Sequence, residues 1–125
     1  MKRSMSGPEL SAAARQAVVE VAPWIRGEAE RPSRAQVAEA VRLSAQVLAQ
    51  VAPGASVEVR VPPFVAVQAV AGPQHRRGTP PNVVQCSPLT WLRLVVGLED
   101  FFGSDAESSG TRAAEIGLHL PLFRL

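Results

Sequence analysis

A chain of 125 residues that is 46% hydrophobic and 19% charged has the balance of one globular domain, long enough to bury a core without disulfide or metal staples, and this excludes an extended disordered chain. The formal net charge of +2 is too small to neutralise a polyanion. The sequence pI near 9.5 therefore reflects the absence of Tyr more than a nucleic-acid surface, and no nucleic-acid partner is expected. A single cysteine, Cys86, rules out an intrachain disulfide, and no apolar run approaches the ~18 residues of a membrane span. Gly7, Pro8 and Glu9 follow the basic start before any run of signal-peptide length, so the expected location is the cytoplasm.

In chain order, Ser6 with Glu9 three residues on makes a capping-box pattern. Leu10, Ala13, Ala17, Val21 and Trp24 then recur at helical spacing until Pro23 and Gly27 disrupt it. The polar residues 27–32 read as a linker. Ser33 and Gln36 form the cap of a second helix whose stripe is Val37, Ala40, Val41, Ser44, Val47, Leu48 and Val51, with Glu39, Arg42, Gln46 and Gln50 off it. Pro53-Gly54 ends that helix, which should lie with one face on a sheet and the other in water.

The sheet follows at once. Val57, Val59 and Val61 alternate with Glu58 and Arg60, the pattern of a half-buried strand that Pro62-Pro63 stops. Residues 64–71 are apolar at all positions but Gln68, which predicts a strand covered on both sides. Gly72-Pro73 turns the chain, a basic loop runs through Pro81, and residues 83–86 return as another strand. Ser87 caps a helix with Pro88 in its first turn and Gly97 at its end. Leu89, Leu92 and Val96 share one face of it, with Trp91 and Val95 on the next, a wide apolar surface for so short a helix. A further helical turn at 98–102, a strand at 108–112 and a short helix at 113–118 complete the pattern. The expected fold is α+β: N-terminal helices packed on a mostly antiparallel sheet of about five strands, with one helix inserted between strands. Residues 1–32 are expected to be an N-terminal helix and linker, and 33–125 the α+β domain, together one structural unit.

Catalytic constellations fail on spacing. A thiolate nucleophile at Cys86 needs a base within hydrogen-bond reach, but His75 lies across a Pro-rich loop and His119 in the tail, so Cys86 reads as a small buried hydrophobe. Two separated histidines and one cysteine make no metal set, and no cofactor motif is present. In the loop 78–82, Pro80 and Pro81 remove the N–H groups a phosphate cradle uses, leaving a rigid turn or the rim of a ligand entrance. Arg76 and Arg77 have the chemistry to hold a carboxylate or phosphate head group, and equally the composition of a solvated loop tip. Glu99, Asp100, Asp105 and Glu107 read as a solvated acidic face.

The run HRRGTPPNVVQCSPLTWLRLVVG at 75–97, with SSGTRA at 108–113, resembles the bacterial sterol-carrier-like family, relatives of the sterol carrier protein 2 lipid-binding fold. The resemblance rests on a strand running into Ser87-Pro88, the Trp91-Leu92 pair, the terminal Gly97 and the Ser109-Gly110-Thr111-Arg112 turn, and it extends from about Ser33 to Pro121. The sequence departs from the family pattern at 85–87, where relatives often carry acidic residues, and in its long 103–109 segment. The resemblance implies a non-enzymatic carrier in which helices and sheet enclose an apolar tunnel. It points to Trp91, Leu92, Val95, Phe101 and Phe102 as cavity candidates, each otherwise an ordinary core residue, and to Arg76 or Arg77 as head-group partner. The expected ligand is a fatty-acyl or isoprenoid-like lipid. The alternative is an accessory module without a cavity that contacts a protein partner or a second copy, and a small enzyme ranks last.

Overall fold

The computed structural model describes residues 5–72 and 82–125. The head-group candidates Arg76 and Arg77, together with His75 and most of the loop that carries them, lie outside the described residues. Helix α1 is Gly7–Glu20, and the Ser6 hydroxyl accepts the Glu9 N–H as the cap pattern requires. The apolar spacing that continues to Trp24 belongs to a separate four-residue helix, α2 (Ala22–Ile25), because Pro23 cannot extend α1 and fits instead within a new first turn.

Helix α3 is Arg34–Val51, and its Ser33–Gln36 capping box is complete in both directions. Val37, Ala40, Val41, Ser44, Val47 and Leu48 are buried as expected, but Val51 is 56% exposed. Val51 is the last residue of the helix, and at Ala52 the chain leaves helical geometry, so the stripe ends one turn short of Val51. The buried arc is also wider than one face, for Ala38 and Ala45 join it. The reason is α1, which packs along α3 and brings buried alanines of its own, Ala14 and Ala17. Small side chains let two helix axes approach closely.

Four strands form one sheet among the described residues, fewer than the five or so expected: β1 (Val57–Val61), β2 (Val65–Ala69), β3 (Val83–Gln85) and β4 (Glu107–Ser109). Their order is β2-β1-β3-β4. The β1–β2 and β3–β4 pairings are antiparallel and β1–β3 is parallel, so the sheet is mixed, and the chain passes from one side of β1 to the other between Ala69 and Val83. Register sets Val57, Val59 and Val61 beside Ala69, Val67 and Val65, with Val84 next to Val59, all on the core face. β2 is not covered on both sides. It is an edge strand whose Ala66 and Gln68 are exposed on the open face, and Ala66 hides the alternation because a small apolar residue is tolerated in water.

Helix α4 is Pro88–Val96. The Ser87 hydroxyl accepts the Thr90 N–H at its start, and Gly97, at φ 78°, ends it in the left-handed conformation that a Cβ would disfavour. The further turn expected at 98–102 is reduced to a 3-10 turn at Phe101–Gly103. The last strand stops at Ser109, because Gly110 takes positive φ and starts the turn into a 3-10 helix at Ala113–His119.

Candidate functional site

Helix α4 gathers the apolar residues singled out by the sequence and packs them inward. Thr90, Trp91, Leu92, Leu94, Val95 and Val96 are all buried. Leu92 and Val95 are 0% exposed and Trp91 1%, so these side chains offer almost no surface that a water-sized sphere can touch. Trp91 is held by a hydrogen bond: its Nε1–H donates to Ser44 Oγ on α3 at 2.9 Å, and the Ser44 hydroxyl lies 2.6 Å from the Ala40 carbonyl it donates to. Phe101 is buried in the 3-10 turn after α4. Its neighbour Phe102 stands edge-on to it, with ring centroids 5.5 Å apart, and is 76% exposed. The five cavity candidates therefore divide into four core residues and one outward-facing ring.

Both ends of α4 are tied down. At the C-terminal end, the N–H groups of Leu122 and Phe123 donate to the Val95 carbonyl at 2.8 and 3.1 Å, and Arg93 Nε donates to the Ile25 carbonyl at 3.0 Å. At the N-terminal end, Thr90 Oγ1 donates to Asp105 at 2.7 Å. Open clefts flank these ends. One, of about 350 Å³, is lined by Pro62, Gln85, Cys86, Ser87, Asp105 and Glu107. Another, of about 380 Å³, lies among Ile25, Arg26, Arg93, Leu98 and Glu99.

Cys86 opens toward the first cleft, yet its chemistry there is weak. Burial, with Asp105 and then Glu99 adding negative charge nearby, pushes its thiol up to about 12, so almost no thiolate is present at neutral pH. Among the described residues, no three His, Cys, Asp or Glu side chains are grouped to hold a metal ion.

One cluster escaped the sequence reading. Arg112, within the Ser-Gly-Thr-Arg turn, pairs its guanidinium with the Glu115 carboxylate and donates to the Ala71 carbonyl at 3.1 Å. Its backbone N–H donates to Asn82 Oδ1 at 2.8 Å, and Asn82 Nδ2 donates to the Ser56 carbonyl at 2.7 Å. The hydrogen bond from Arg112, with its charge adding to it, holds Glu115 below the usual carboxylate range. The start of β1, the chain leaving β2 and the entry to β3 are thereby fastened together. A buried Asn directly before a strand was the available signal, since such a residue must find partners for both ends of its amide.

Residues 33–122 match the family model described as bacterial SCP ortholog, well over half of the chain. The chain belongs to the bacterial SCP ortholog family. No curated protein matches it. Membership places the chain in a sterol-carrier-like family associated with lipid binding or transfer, and generally with carriage more than catalysis. The matched region begins at the α3 cap, leaving α1 and α2 outside it, although both helices share the core of the matched region. Among its described residues, no helix is long and apolar enough to cross a membrane.

Proposed function

We propose that this protein binds and carries an apolar ligand, a fatty-acyl or isoprenoid-like lipid, without reacting with it. The observation that carries the reading is the family match over 33–122 combined with the wide apolar surface of α4 at its centre. Trp91, Leu92, Val95 and Phe101 are the proposed hydrocarbon contacts, each square ångström of apolar surface removed from water contributing ~25 cal/mol. Phe102 is proposed to guard the entrance, and Arg76 or Arg77 to hold a polar head by charge-assisted hydrogen bonds. Because Leu92 and Val95 adjoin no void, the reading requires α4 to separate from its neighbours when ligand enters. Residues 1–32 and 33–125 are proposed to work as one unit, since α1 and α2 contribute to the same core.

A specific observation favours a second reading, an accessory module that docks on a protein. Leu98, Phe102 and Leu118 are exposed, while the Trp91 surroundings are close-packed. A titration of the protein with a fluorescent fatty acid separates the two: saturable binding supports the carrier, and a flat response supports the module.

A further inference from the structure

The two edges of the sheet differ in character. β4 is three residues long and includes the charged Glu107, and Gly110 turns the chain away directly after it. β2 is five residues long, has no charged residue or proline, and pairs with β1 without a bulge, so it lacks the devices that usually keep a free strand from pairing. Among the described residues it has a neighbouring strand on one side only. Backbone direction identifies what its other side offers. Glu58 N–H donates to the Asn82 carbonyl and Cys86 N–H donates to the Arg60 carbonyl, so even-numbered residues of β1 turn their backbone groups to β3 and odd-numbered ones to β2. By the register, Val65, Val67 and Ala69 then bond inward to β1, while Ala66 and Gln68, both exposed, turn their N–H and C=O groups outward. At each end of this outward row the chain satisfies itself. Arg42 Nε donates to the Phe64 carbonyl at 3.1 Å, and Val70 N–H donates to the Ala52 carbonyl at 2.7 Å. Arg112, bonded to the Ala71 carbonyl and through its N–H to Asn82, draws the chain leaving β2 back toward β3.

We propose that a second copy of this chain pairs along β2, edge to edge and antiparallel, joining the two sheets into one. The outward groups select the register. A two-fold axis through Val67 sets Ala66 of one copy opposite Gln68 of the other, giving hydrogen-bonded pairs that use the outward groups of those two residues and no others. An axis through Ala66 or Gln68 would call on Phe64 or Val70, whose groups are already engaged. An identical strand also matches by face. Val67 lies across from itself and Val65 across from Ala69 on the apolar side, and Ala66 meets Gln68 on the open side. Such a contact closes at two chains, and it is independent of the carrier reading.

Sedimentation equilibrium of the full-length protein, from micromolar to millimolar, reads the association, and the expected result is a monomer–dimer equilibrium with no larger species. Gln68→Pro removes an outward N–H at a position where an edge strand tolerates proline, and Ala66→Lys sets a charged side chain at the joint. Each should raise the dissociation constant of the dimer by about tenfold or more while the chain stays folded, because the two-fold axis repeats every loss. Should Gln68→Pro not fold, Ala66→Lys decides by the same criterion. In a Cys86→Val background, Val67→Cys brings the new thiol opposite its own copy, within disulfide reach, so diamide should give a covalent dimer. Gln68→Cys, opposite Ala66, should remain single under the same treatment. A wild type that stays monomeric at every concentration, an association that both edge variants leave unmoved, or cross-linking by Gln68→Cys and not by Val67→Cys would overturn the proposal.

Discussion

Cys86 shows how position overrides residue type. The sequence places it at a strand end beside a capped helix, and the structure buries it near Asp105 and Glu99, which favour the neutral thiol. Raising a thiol from 9.0 to about 12 means that native protein keeps the proton through a range where the unfolded chain loses it. The sign follows: stability from this group is intact below pH 9 and is lost as pH rises from 9 toward 12. Cys86→Val should therefore unfold less steeply with pH in that window and behave like wild type at pH 7, as measured by urea midpoints across alkaline pH. Fast reaction of the native thiol with a disulfide reagent at pH 7 would contradict the assignment. At this scale burial was partly legible. Phe101 and Phe102 have identical chemistry, and only the 3-10 turn decides that one ring enters the core and the other faces water.

Elements were legible where local chemistry specifies them. The Ser6, Ser33 and Ser87 caps and the left-handed Gly97 are written in neighbouring residues, and all form. The coverage of β2 was not legible, because whether Ala66 faces water depends on which strand ends up at the sheet edge. The exposure of Val51 likewise depends on where the helix lets go of the core. The same reasoning makes Leu48, 0% exposed on α3, the stringent test of that helix's placement. Leu48→Ala should cost ~2–5 kcal/mol, read as a lower urea midpoint with little change in slope. A melt within a degree or two of wild type would show that the helix is misplaced.

At the scale of the molecule, helices outside the family match complete the core inside it. Leu10, Ala14, Ala17 and Val18 of α1 join one apolar cluster with α3, the sheet and α4. Starting the chain at Ser33 would expose that surface of α3, so residues 33–125 alone should bind a dye for exposed apolar surface and unfold at lower urea than the full chain. Unchanged unfolding would mean that α1 is an appendage. The α1–α3 pairing was not legible from either helix, since a second buried face made of alanines looks like an ordinary small-residue spacing. The carrier account itself turns on whether this core yields to an apolar ligand. Native mass spectrometry of the full-length protein mixed with palmitate, compared with the same mixture after Val95→Trp adds bulk to the inward face of α4, measures that directly. The account predicts a one-to-one palmitate complex that saturates for wild type and is weakened in a folded Val95→Trp protein. A chain that stays bare at every palmitate concentration, or a complex that Val95→Trp leaves untouched, would contradict it.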